Sequence, residues 1–170
     1  KGVTVNTLEL SLEEAKKALE LVGIGEELYE TSPFSLSGGQ QRRVAIAGIL
    51  ESNPDVLVFD EPTVGLDPLG KKELLSLLKE INEKYHKTVI LVSHDMEHVL
   101  NYSQRVIVMS HGKKIADSPV KEFFKDSKLL KEMNISPPNI LILKDLCREK
   151  GIYIRDDVFT IEEVVQDIVK

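Results

Sequence analysis

The 170-residue sequence is 42% hydrophobic and only 5% aromatic, without Trp, which is enough apolar mass for one ordinary core and a small satellite. Its 22 basic and 28 acidic residues give a net charge of -6, which opposes docking on DNA or RNA. The single cysteine, Cys147, excludes an internal disulfide framework and a cysteine metal cluster; it is expected to be a small buried or half-buried apolar residue in a reducing cytoplasm.

The apolar mass is Val, Ile and Leu, which suits buried strands flanked by helices and favours an α/β fold. Apolar runs such as 56–59 and 89–92 are far shorter than the ~20 residues of a spanning helix, so a membrane role is expected to come through a partner. The opening Lys1-Gly2-Val3-Thr4-Val5-Asn6 reads as the inside of a longer protein. Ser11-Leu12-Glu13-Glu14 has the form of a capped helix start, and Ala15, Ala18, Leu19 and Val22 recur at helical spacing until Gly23. After a Ser32-Pro33 break, Leu36-Ser37-Gly38-Gly39-Gln40 runs into an apolar helix through Val44, Ala47 and Leu50, which Asn53-Pro54 ends. Residues 56–59 are expected to form a strand buried at the sheet centre. A helix over 69–84 carries Leu74, Leu78 and Ile81 on one face, and His86-Lys87 turns the chain into a strand over 88–92, implying a parallel pair. Segments 105–109 and 114–116, joined through Ser110-His111-Gly112-Lys113, predict a strand and a hairpin return. Beyond the Pro137-Pro138 linker, a helix over 140–150 with a Gly151 stop and a Thr160-Ile161-Glu162-Glu163 capping box predict two closing helices.

The chemistry is densest between Leu36 and His94. Gly38 and Gly39 let backbone approach a ligand closely, and the N–H groups at a helix start favour an anion such as phosphate. An isolated Ser-Gly-Gly is better read as an N-cap at Ser37 and a turn; the motifs that follow reverse those odds. Asp60 ends an apolar strand, where ligands of open α/β sheets gather, and its carboxylate can hold Mg2+ through water. Glu61 can orient or polarise a water aimed at a terminal phosphate. Two adjacent carboxylates repel unless a cation or substrate offsets them, so the pair argues for one nearby. His94, in Ser93-His94-Asp95 at the end of the next strand, can donate to a phosphate oxygen. The remaining histidines, His86, His98 and His111, have no such neighbours in sequence and read as surface residues.

Leu36-Ser37-Gly38-Gly39-Gln40 resembles the signature of ATP-binding-cassette (ABC) ATPases, and Val56-Leu57-Val58-Phe59-Asp60 resembles Walker B. Glu61 resembles the catalytic glutamate, Gly65-Leu66-Asp67-Pro68 the D-loop and His94 the switch histidine. The order and spacing of these motifs over residues 35–95 make the match specific. The resemblance implies an α/β P-loop NTPase fold, with ATP and Mg2+ as cofactors. It also implies two ATPase domains paired head to tail, each signature capping ATP held by the other domain's P-loop. Ser37, Gly38, Gly39, Gln40 and Asp67 are then the nucleotide contacts, Glu61 and His94 catalytic, and Asp60 the metal residue.

The pattern G-x-x-x-x-G-K-[ST] of a P-loop is not found in the sequence. A decoy runs from Gly65 to Lys71, but Lys72 supplies no hydroxyl, Pro68 no N–H, and Asp67 adds a negative charge. Neither a glutamine loop nor an aromatic adenine platform is identifiable, so the chain is expected to begin inside the helical subdomain, and the 170 residues alone are expected neither to bind ATP tightly nor to hydrolyse it.

The run from Ser32-Pro33-Phe34-Ser35 through the signature to Gln41-Arg42-Arg43-Val44-Ala45-Ile46-Ala47-Gly48 is similar to the energy-coupling-factor (ECF) importers, whose ATPases serve vitamin and transition-metal uptake. That resemblance implies residues 1–53 as the signature subdomain, 54–133 as the C-terminal part of the core and 134–170 as an extension that helps pair two ATPases. The implied partners are a second ATPase subunit, a transmembrane coupling subunit and a substrate-binding membrane subunit, on the cytoplasmic face of the membrane. One rival is a soluble ABC protein acting on nucleic acid or ribosomes; the acidic charge, the transporter-like Val64-Gly65-Leu66-Asp67 and the lack of coiled-coil heptads beside the signature count against it. Another ABC transporter branch is a further reading. A purely structural cassette is opposed by the intact Glu61 and His94.

Overall fold

The computed structural model describes residues 12–169, and its internal contacts group them into two units, 12–92 and 93–169. The expected cap at Ser11 lies outside the described residues.

In the first unit α1 (Leu12–Leu21) ends at Gly23, whose φ of +73° is the left-handed conformation that stops a helix and suits glycine. Helix α2 (Gly38–Glu51) follows the signature segment, and β1 (Val56–Asp60) follows α2. Helix α3 (Pro68–Tyr85) is capped by Asp67 at its start and by His86, at φ +54°, at its end. Strand β2 (Thr88–Val92) then pairs parallel with β1, in the register Val56 to Thr88 through Asp60 to Val92. The crossover helix between the strands makes that parallel pairing possible. The core joins Val22, Ile24, Ile46 and Ala47 to Leu57 and to the Leu74, Leu77, Leu78 and Ile81 stripe of α3.

The two faces of β1 differ among the described residues: Val56 is 52% exposed and Val58 65%, with Ile90 at 47% and Val92 at 48% beside them. Leu57 is buried in the core with Phe59 packed against it, because among the described residues of this unit the helices lie on that face alone.

The second unit opens with α4 (Met96–Tyr102), followed by the antiparallel hairpin of β3 (Arg105–Ser110) and β4 (Lys113–Pro119). His111 and Gly112 both have positive φ, as a two-residue hairpin turn requires. Helices α5 (Val120–Lys125), α6 (Ser127–Glu132), α7 (Asn139–Glu149) and α8 (Ile161–Ile168) complete it. Its core contains Phe123, Phe124, Leu130, Ile140, Ile154, Val158 and Val164, and Cys147 is buried there as expected. Lys144 is buried too: its Nζ donates to the carbonyls of Asp156 at 2.9 Å and Val158 at 3.0 Å and lies 5.2 Å from the Phe159 ring centroid. Burial lowers the pKa of this ammonium, so the two carbonyls offset only part of its desolvation. His98 is a correction, being half-buried with Nδ1 3.4 Å from the Asp95 carboxylate rather than a surface residue.

The capping box of α8 forms as its sequence predicts. Thr160 Oγ1 accepts from the Glu163 amide at 3.2 Å, and Glu163 Oε2 accepts from the amides of Phe159 at 2.8 Å and Thr160 at 3.1 Å. The Phe159 amide is the main reason that the Glu163 carboxyl titrates below its usual value. A depressed carboxyl contributes stability that is present above the ordinary carboxylate range and is lost as the pH falls through the folded value. Thr160→Ala is expected to destabilise the second unit by about 1 kcal/mol, and Glu163→Gln to flatten the acid limb of its stability profile. Urea unfolding as a function of pH measures both; an unchanged midpoint for Thr160→Ala contradicts the role of the cap.

Candidate functional site

The start of α2 is built by two reciprocal hydrogen bonds. Ser37 Oγ accepts from the Gln40 amide at 3.3 Å, and Gln40 Oε1 accepts from the Ser37 amide at 2.9 Å. This box occupies Ser37 and Gln40 with the helix itself and leaves Gly38 and Gly39 as the first residues of α2, where amides have no intrahelical acceptor. Neither glycine has a positive φ, and a Cβ built on either meets nothing within 4 Å. The fold of the chain therefore does not require glycine at these positions. What it leaves there is bare backbone, the property that a closely approaching anion needs.

The cleft beside this helix start is lined by Ser37, Gly38, Gly39 and Gln40 on one side and by Gly65, Leu66 and Asp67 on the other. Asp67 Oδ1 accepts from the Gly70 amide at 2.6 Å, so the carboxylate itself caps α3. The decoy P-loop thus has a fixed negative charge where a phosphate would sit, and it is not an anion cradle.

Asp60 and Glu61 lie at the carboxyl end of β1, next to Val92 of β2. The Glu61 amide donates to the Val92 carbonyl at 3.0 Å, carrying the sheet ladder one residue beyond the strand. Glu61 is half-buried with φ +45°, a left-handed conformation that a non-glycine residue keeps only when its surroundings enforce it. Such strain clusters at functional sites. Asp60 is exposed, and no group of three or more His, Cys, Asp or Glu able to hold a metal ion exists among the described residues. That donor set suits Mg2+, which keeps several waters and takes one or two carboxylates together with substrate phosphates, rather than an ion caged by protein. His94 belongs to the second unit, exposed, immediately before Asp95, whose Oδ1 accepts from the amides of Glu97 at 3.1 Å and His98 at 3.3 Å to cap α4.

Two residues that sequence reasoning passed over brace this region. Arg43 donates to Glu73 Oε2 at 2.5 Å and to the Val22 carbonyl at 3.2 Å, tying α2 to α3 and to the end of α1. Arg42 donates to the carbonyls of Pro62 and Val64 in the loop after Glu61. Adjacent positions on a helix point about 100° apart, so an Arg-Arg pair one turn into α2 can reach two different elements.

The family model described as ABC transporter matches residues 3–64. The energy-coupling factor transporter ATP-binding protein EcfA2 of Caldanaerobacter subterraneus subsp. tengcongensis is 46% identical over 169 residues, covering 97% of this chain and 59% of the relative. EcfA2 of Acetivibrio thermocellus is 45% identical over 155 residues, covering 91% of this chain and 55% of the relative. Among solved structures, cbiO1 from Clostridium perfringens, part of the ABC transporter complex cbiONQ, is 38% identical with a TM-score of 0.64, over 78% of this chain and 53% of that one. A dimeric ATP-binding cassette in a post-hydrolysis state, bound to ADP and Pi, is 34% identical with a TM-score of 0.54, over 64% of this chain and 46% of that one.

The chain belongs to the ABC ATPase family and has its α/β fold. Within that family it is similar to the ATP-binding proteins of energy-coupling-factor transporters, and it spans somewhat more than half the length of those relatives. No helix among the described residues is long and apolar enough to cross a membrane.

Because a Cβ at Gly39 meets no neighbour, Gly39→Asp is expected to leave the thermal unfolding of the chain within about 1 kcal/mol of wild type. If a phosphate docks at this helix start across an ATPase dimer, the same change in a cassette that includes a P-loop abolishes ATP-driven dimerisation at nearly unchanged ATP affinity, because it adds bulk and negative charge there. Dimer formation at wild-type ATP concentrations returns Gly38 and Gly39 to a purely structural role.

Proposed function

We propose that these residues are the signature and hydrolysis half of the ATPase subunit of an ECF-type importer, in which ATP hydrolysis drives uptake of a vitamin or a transition-metal ion. The observation that carries the reading is the glycine pair at the start of α2, which faces Asp67 across one cleft and has no steric reason in the fold of this chain. The P-loop that grips the triphosphate is supplied from outside these 170 residues.

In this reading the amides of Gly38 and Gly39 and the Ser37 hydroxyl close on the terminal phosphate of ATP held by a second ATPase domain, and Gln40 keeps the helix start in shape. Asp67 stands beside them and links the two ATP sites. Asp60 would hold Mg2+ through water, and the ion would neutralise charge on the phosphates. Glu61 orients the attacking water and takes its proton while the water oxygen bonds to the terminal phosphorus and the bond from that phosphorus to the bridging oxygen breaks, so that ADP leaves with the electron pair. His94 donates a hydrogen bond to a phosphate oxygen.

Residues 1–53 then form the signature subdomain, 54–133 complete the nucleotide-binding core, and 134–170 help to join the two ATPases. Ile142 and Leu146 on α7, and Ile161, Val165 and Ile168 on α8, are exposed apolar side chains that support an interface role for that last segment. The open apolar face of β1 and β2 supports a further layer, contributed by the part of the cassette that carries the P-loop. Uptake requires a transmembrane coupling subunit and a substrate-binding membrane subunit, with the ATPase pair held peripherally at the cytoplasmic face.

Glu61→Gln tests this directly in the cassette with its P-loop. ATP binding is expected to persist while turnover falls by ~100-fold or more, the scale of a positioned general base. Wild-type turnover in that variant removes Glu61 from catalysis and the reading with it.

A further inference from the structure

Arg42 connects the two functional parts of the first unit. It is half-buried on α2, five residues after Ser37, and its Nη1 donates to the Pro62 carbonyl and, at 3.1 Å, to the Val64 carbonyl. Both acceptors lie in the loop between Glu61 and Asp67.

That loop is anchored at its ends by the bond from the Glu61 amide to Val92 and by the cap that Asp67 places on α3. Between the ends, the Val64 amide donates to the Glu61 carbonyl and the Leu66 amide to the Thr63 carbonyl, both at 3.2 Å. These two bonds are internal, so they fix the shape of the loop rather than its place. Arg42 ties its middle to α2. A guanidinium suits the task, being always charged, planar and able to serve two carbonyl acceptors at once. The loop begins at a residue held at φ +45°, so the direction of the Glu61 side chain depends on where the next few residues are held.

We propose that Arg42 is a positioning residue that couples the signature helix to Glu61, so that engagement of a phosphate at the start of α2 sets the loop that aims Glu61 at its own ATP. The inference rests on the function proposed above and adds to it the route by which one ATP site reports to the other. Arg42 touches neither nucleotide in this account; it acts through the Pro62 and Val64 carbonyls.

The test is steady-state ATP hydrolysis by the cassette with its P-loop, in wild type, Arg42→Ala, Arg42→Lys, Glu61→Gln and the double variant Arg42→Ala with Glu61→Gln. Arg42→Ala is expected to lower kcat by roughly 10- to 100-fold at an unchanged KM for ATP, as a misplaced catalytic group does. Arg42→Lys, which keeps the charge without the fork, should recover part of that loss. The double variant should be no slower than Glu61→Gln alone, because Arg42 acts only through Glu61. If Arg42→Ala does not fold, Arg42→Gln carries the test with the same expected split. Wild-type kcat in the Arg42 variants, a raised KM at unchanged kcat, or a double variant slower by the product of the two single losses each overturns the coupling. A Glu61→Gln enzyme with wild-type turnover instead overturns the proposed function, so the two failures are distinct.

Discussion

The two reciprocal hydrogen bonds between Ser37 and Gln40 are the constraint on which the candidate site depends. They start α2 at a fixed residue, and that choice leaves Gly38 and Gly39 as exposed backbone at the positive end of the helix. The same start places Arg42 and Arg43 one turn further on, where one reaches the loop after Glu61 and the other reaches Glu73 on α3. Each of these bonds is modest in isolation, but the Arg42 contact to the Pro62 carbonyl is part-buried, where a lost partner costs more than the bond itself contributes.

The second constraint is the parallel pairing of β1 with β2. It brings Asp60 level with Val92 and lets the Glu61 amide continue the ladder to the Val92 carbonyl. The chain then leaves the sheet through a left-handed residue, which turns the loop toward the cleft that Asp67 shares with the glycine pair. Ligands of open α/β sheets gather at such strand ends, which leave the space that helices fill elsewhere.

Much of this was legible in the sequence, because it depends on local rules. The Thr160 and Glu163 box, the Gly23 and Gly151 helix stops, the 105–116 hairpin and the helix between β1 and β2 all follow from short-range geometry. The apolar run of β1 correctly announced a strand, yet only one of its faces is covered among the residues of its unit. Helices α4, α5 and α6 were missed because six or seven residues hold too few turns to display a period. The half-buried His98 was missed for a similar reason, since its burial comes from packing rather than from its neighbours in sequence. The arginine braces join residues 20 to 30 positions apart, and no spacing rule reaches that far.

The central claim is that the glycine pair serves a nucleotide held by another domain. Mixing two inactive cassettes tests it most directly: one carries Gly39→Asp, and its partner carries a disabled P-loop with an intact signature. If the signature acts across the interface, the mixed dimer contains one site with both an intact P-loop and an intact signature. ATP turnover should then reappear on mixing. If mixed dimers form and turnover stays at the level of the separate proteins, the signature acts on its own domain's nucleotide, and the account given for Gly38 and Gly39 is wrong.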